Sequence, residues 1–152
     1  IDVWGCCGRQ QFQSLFILQK RAIRIISGVS RRAHTEPLFI SLDILPLESV
    51  YILATSLFMY KHYYRFLPAV VDDFFQSNSA IHSVNTRRRN HLHVPITRSK
   101  SGTLSIRFRG VHIWNQILLL LDVNSLTLNQ FKRKMSCGLL DRSIEIRLNP
   151  MT

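Results

Sequence analysis

The chain has few acidic residues: nine Asp and Glu stand against 20 Lys and Arg, for a net charge of +11 over 152 residues. Two long stretches contain no acid. Val3 to Thr35 carries six basic residues, and Phe74 to Leu121 carries seven. Long apolar runs are missing too. The longest, such as Ile117 to Leu121, are five residues, which excludes a membrane-spanning helix. The N-terminus lacks the basic region and apolar core of a secretory signal, so an intracellular protein, nuclear or cytoplasmic, is expected. Its "IDVWGCCG" start reads as cut from something longer. Three cysteines, Cys6, Cys7 and Cys137, are too few and too badly spaced for a disulfide framework. No internal repeat or low-complexity tract is visible.

What is present is a core. Hydrophobic residues make up 46% of the chain, including nine Phe, four Tyr and two Trp. That excludes a wholly disordered polymer and supports one compact domain. The charge favours a polyanionic partner: RNA, DNA or an anionic membrane. The membrane is the weakest of these, because the longest basic stretch adjoins a strand-like pattern rather than a strongly amphipathic helix.

Periodicity predicts a helix over 12–27, with Phe12, Leu15, Phe16, Ala22, Ile23 and Ile26 on one face and Gly28 ending it. Lys20, Arg21, Arg24, Arg31 and Arg32 follow one another without an acid between them. They are either a solvated helix face or a phosphate-binding patch. Residues 33–46 are turn-rich. Pro46 opens a central core helix over 47–66, with Glu48 in its first turn. Pro68 ends it and starts a short helix, "PAVVDDFF". Helices over 110–121 and after Ser125, a candidate N-cap, close the chain, with Lys132, Arg133 and Lys134 turned outward. The last residues, 141–152, are expected to fray.

Residues 85–109, "NTRRRNHLHVPITRSKSGTLSIRFR", combine seven basic residues with alternating apolar ones. Leu92, Val94 and Ile96 precede a turn-prone "RSKSG", and Leu104, Ile106 and Phe108 follow it. This predicts a β-hairpin with one buried face and Pro95 on an edge strand. Arg107 and Arg109 would lie on its polar face, Arg98 and Lys100 at its tip, and Arg87, Arg88 and Arg89 would lead in. Such an element could track a nucleic-acid backbone.

Catalytic and metal signatures are weak. Asp72-Asp73 echoes the aromatic-x-Asp-Asp motif of polymerases, but Val70 holds the aromatic position and no third carboxylate on a neighbouring strand is apparent. His91 and His93 would point the same way on a strand. Zinc needs two further ligands, and His82, His112 and Cys137 have no ligand-like spacing. His34 and Ser41 sit in an ordinary connection, and the glycines of "GCCG" are not followed by the Lys-Ser/Thr of a phosphate loop.

Eight segments stand in an order that resembles the region after the polymerase core of non-LTR (LINE-type, jockey-like) retrotransposon reverse transcriptases. They are "LQKRAIRII" (18–26), "HTEPLF" (34–39), "LDILPL" (42–47), "FMYK" (58–61), "LPAVVDDFF" (67–75), "NTRRRNHLHVP" (85–95), "SIRFRGVHIWN" (105–115) and "SLTLNQFKRKM" (125–135). "IDVWG" resembles the end of the family's Tyr-Gly-x-x-x-Trp-Gly segment. The likeness covers roughly residues 1–140. It departs where "QILLLL" follows Trp114-Asn115 without the family's Leu-Pro, and after Leu140.

The resemblance implies a mainly α fold with a small β-hairpin: a helical thumb-like bundle plus a C-terminal extension, a fragment of a larger polymerase. Residues 1–76 would be the thumb-like region, 77–109 a basic linker and hairpin, 110–140 the C-terminal helices and 141–152 the tail. It implies RNA or an RNA–DNA duplex as partner, with the missing fingers and palm of the same polymerase as a second. It implies no catalytic carboxylate and no cofactor in this fragment, Mg²⁺ belonging to the palm of the intact enzyme. A protein-interaction module built on Trp114 and Leu118–Leu121 is the alternative.

Overall fold

A computed structural model describes residues 8–83 and 87–148. The "IDVWG" segment, Cys6-Cys7 and the start of the 85–109 stretch lie outside those residues. Seven α-helices follow in order: α1 (Arg9–Ile26), α2 (Glu36–Ser41), α3 (Leu47–Tyr63), α4 (Asn78–Ile81), α5 (Lys100–Leu104), α6 (Ile106–Leu120) and α7 (Leu128–Leu140). Two 3₁₀ turns, Ala69–Phe74 and Val123–Ser125, complete the regular structure.

α3 is the centre. Pro46 precedes it, Glu48 sits in its first turn, and Lys61 and His62 sit in its last, all suited to the helix dipole. Its buried residues include Tyr51, Ile52, Met59 and Tyr60. α6 and α7 pack against it, and α1 touches it as well. Gly110 lets α6 approach closely: a Cβ there would come within 2.9 Å of the Met59 sulfur. An aromatic cluster welds the three central helices. Tyr60 stacks on Phe131 at 4.8 Å between ring centres and lies 4.6 Å from Tyr64, and Trp114 lies 5.5 Å from Tyr63.

α1 ends as expected. Gly28 adopts φ 63°, and the N–H of Val29 reaches back to the Arg24 carbonyl, which closes the helix and turns the chain. Its predicted inner face is only half buried. Phe12 meets Tyr51 edge-on, Phe16 stacks on Phe39, and Ile23 is 2% exposed. Leu15 and Ile26 stay in solvent at 41% and 63%. The period-3.6 pattern marks the apolar arc of a helix but not how much of it a neighbour covers.

Three expectations are corrected. The hairpin does not form, and no strand occurs among the described residues. Residues 104–108 alternate by coincidence; from Ile106 onward a helical period takes over, with Ile106, Gly110, Ile113, Trp114 and Ile117 facing the core. The helical spacing buries a whole further turn, which an isolated hairpin could not do. α7 begins after Thr127, not Ser125. Thr127 and Gln130 form a reciprocal capping box, leaving Ser125 in a 3₁₀ turn. Residues 141–148 are packed: Ile144 and Ile146 are each 8% exposed and belong to the core.

Side-chain amides replace the missing sheet. Asn115 accepts the Leu92 N–H at 2.9 Å and donates to its carbonyl at 2.8 Å. Gln116 does the same for Arg147, at 3.0 Å both ways, and Gln19 holds Leu47 N–H and the Leu45 carbonyl. Each fastens a connecting segment to a helix; the Asn115 and Gln19 bonds satisfy half-buried backbone groups, and the Gln116 pair is exposed.

The fold lowers the pKa of three histidines. Burial lowers the pKa of His62 despite the opposing pull of Asp72; burial lowers that of His112; burial and then Arg88 lower that of His91. The unfolded chain therefore binds protons first. Their contribution is full above the ordinary value of 6.5 and is lost as pH falls through the depressed folded values. The thermal midpoint is expected to drop on acidification from about pH 7.5 to about pH 5, and a His62→Gln, His112→Gln variant to flatten that slope. An equal slope in both proteins would contradict it.

Candidate nucleic-acid interface

The N-terminal basic residues gather where α1 ends. The turn after Gly28 brings Val29 and Arg31 back beside the helix. A concavity of about 600 Å³ is lined by Ile17, Lys20, Arg21, Arg24, Ile25, Val29 and Arg31, with no carboxylate among them. Arg21, Arg31 and Arg32 are exposed. Lys20 lies over the Phe16 ring, 4.2 Å from its centre. Arg24 is half-buried and structural, because its Nε donates to the Ala33 carbonyl at 2.9 Å and pins the turn.

α7 carries a separate basic pair. Gln19 of α1 shares a second concavity with Lys132 and Arg133, both exposed. Lys20 shares a third with Leu139 and Leu140. The two basic groups line different concavities and share no lining residue.

The second basic stretch is displayed separately. Arg87, Arg88 and Arg89 sit exposed on a turn. Their backbone is tied down: Asn78 Nδ2 donates to the Arg88 carbonyl at 2.9 Å, the Ser79 N–H donates to that of Arg89 at 3.1 Å, and a single antiparallel bridge joins Ser77 to Leu92. Arg98 and Lys100 are exposed on either side of Ser99, whose side chain caps α5. Arg107 stands over the Phe74 ring at 4.1 Å.

Arg109 is a correction. On a helix it lies nearly opposite Arg107, and it is 8% exposed with its guanidinium 5.8 Å from the Tyr51 ring centre. It does not share an outward face with Arg107. His91 and His93 are not strand partners either; the His93 ring lies 5.6 Å from that of His82.

Asp72 and Asp73 lie in the 3₁₀ turn after Pro68, and among the described residues no three His, Cys, Asp or Glu side chains gather as a metal site. Among the same residues one ion pair occurs, Arg142 to Glu36 at 2.7 Å, and both partners are exposed. Glu36, Glu48 and Glu145 line the concavity that Lys20 shares with Leu139 and Leu140, and Asp43 lines that of Lys132 and Arg133, but among the described residues none of them forms an ion pair with a candidate cation. Exposed guanidinium groups of this kind can hold phosphates in bidentate fashion. Among the described residues no helix is long and apolar enough to cross a membrane. In comparisons with known proteins, no family model, curated sequence or solved structure matches this chain.

Proposed function

We propose that this chain is the helical, post-polymerase part of a non-LTR retrotransposon reverse transcriptase, and that it grips RNA or an RNA–DNA duplex without performing polymerisation itself. The family assignment rests on the eight ordered segments. The binding role rests on one observation: Lys20, Arg21 and Arg31 line one concavity that has no carboxylate in its lining, and among the described residues none of the three pairs with one. Arg87, Arg88 and Arg89 form a second binding region on a clamped turn, and exposed Arg98, Lys100 and Arg107 follow it along the chain. The polymerising carboxylates, with their Mg²⁺, belong in this reading to a palm that precedes the segment.

The competing protein-interaction reading loses its anchor. Trp114 is fully buried, and of the Leu118–Leu121 patch only Leu119 and Leu120 are exposed.

RNA and RNA–DNA binding measured across salt concentrations tests the proposal. Each cation–phosphate pairing removed should reduce the slope of log affinity against log salt by about 0.7–0.9. Replacing Arg21, Arg31, Arg32, Lys132 and Arg133 with Ala is expected to flatten the slope by several such steps. Arg109→Ala serves as control: it should lower the unfolding midpoint and leave the slope unchanged. An unchanged slope in the multiple variant would overturn the binding role.

A further inference from the structure

The bare half of α1 carries a pattern that nucleic-acid binding does not use. Leu15, Leu18, Ala22 and Ile25 are spaced three, four and three apart, which are the a and d positions of two heptads. All four are exposed, Leu18 at 55% and Ile25 at 80%. Single exposed apolar residues need no explanation, but a continuous seam with this period does. Ile26 borders the seam at 63% exposure, beside the face that Phe12, Phe16 and Ile23 press onto the protein. Arg21 borders the other side, and Arg24 and Arg31 lie beyond it around the adjoining concavity.

We infer that this seam docks an amphipathic helix of a partner protein, one with Leu or Ile at heptad spacing and Asp or Glu along its flank. The period selects a helix, since knobs at a and d seat in the holes of another helix. The charge selects an acidic flank, because opposite charges beside the seam set partner choice. A second copy of this chain fits poorly: from Val3 to Thr35 it has no carboxylate to offer Arg21 or Arg24. Nucleic acid offers no apolar knobs at this spacing. The inference does not depend on the RNA-binding proposal.

The full chain can be titrated with two labelled helical peptides matched to the 18 residues of α1. Both carry Leu at a and d; one has Glu and the other Lys at the flanking e and g positions. The Glu peptide is expected to bind at least about ten-fold more tightly than the Lys peptide. Arg21→Glu should narrow or reverse that preference. Leu18→Glu with Ile25→Glu should abolish binding while circular dichroism stays unchanged, both positions being in solvent. Failure of the Glu peptide to bind, equal binding of the two peptides, or indifference to the double substitution would overturn the inference. So would sedimentation showing a dimer, or anionic phosphatidylserine vesicles binding the chain, if Leu18→Glu with Ile25→Glu removed either.

Discussion

Trp114→Ala is expected to destabilise the protein by about 3–5 kcal/mol, a large part of the roughly 5–15 kcal/mol by which native domains are stable. Trp114 has no exposed surface and lies where α3, α6 and α7 meet. Its ring stands 5.5 Å from Tyr63 and 6.2 Å from Phe131, and Phe131 in turn stacks on Tyr60. Truncation removes the largest fully buried side chain. The walls of the resulting cavity belong to three different helices, so collapse into it would require all three to move. Urea unfolding followed by far-ultraviolet circular dichroism should show a lowered midpoint or no cooperative transition. Trp114→Phe, which refills part of the volume, should recover a portion of the stability. A midpoint within experimental scatter of the parent would show that this aromatic junction does not hold the bundle.

Asn115→Ala should have the second largest effect, by a different route. The Asn115 amide is the partner of both the N–H and the carbonyl of Leu92. Leu92 is 8% exposed, so water replaces these bonds poorly. Each group left unpaired costs about 1–3 kcal/mol. The damage is local in its first consequence. The turn bearing Arg87, Arg88 and Arg89 is fastened at one end by this clamp and at the other by the bonds from Asn78 and Ser79. Hydrogen exchange should therefore accelerate at Leu92 and across 87–93, with α1 little changed. Asn115→Asp keeps an acceptor for the N–H but sets a carboxylate against the Leu92 carbonyl, so it should not rescue. Unaltered exchange at Leu92 would refute the clamp. If the Arg turn binds nucleic acid, Asn115→Ala should also weaken binding without removing any charge.

Much of the helical framework was legible in the sequence. Pro46 with Glu48 marked the start of α3, Gly28 marked the end of α1, and the three-four spacing of Val111, Trp114, Ile117 and Leu118 marked α6 from Gly110 onward. These are local signals, set by backbone geometry and helix dipoles, so they need no knowledge of neighbours. The hairpin was misread because six alternating residues satisfy a period of two by chance, and only the packing of Ile106 and Gly110 against α3 settles the matter. The Thr127–Gln130 capping box was also a local signal, Thr-x-x-Gln.

The candidate site was legible in kind but not in arrangement. Charge balance alone identified the basic residues of 20–32 and 87–109 as unopposed by neighbours in sequence. It could not separate Arg107 from Arg109, because on a strand they share a face and on a helix they are nearly opposed; the observed helix puts one over Phe74 and buries the other against Tyr51. Nor could it place Lys132 and Arg133 in a concavity with Gln19 of α1, since that contact is created by tertiary packing.

By itself, then, the sequence determined the helices, their caps and the sign of the charge, because each follows from short-range geometry or simple composition. Only the tertiary structure decided which cations face solvent, which amides stand in for a sheet, and which half of α1 stays bare. Those outcomes depend on which surfaces meet, and side chains far apart along the chain compete for the same buried space.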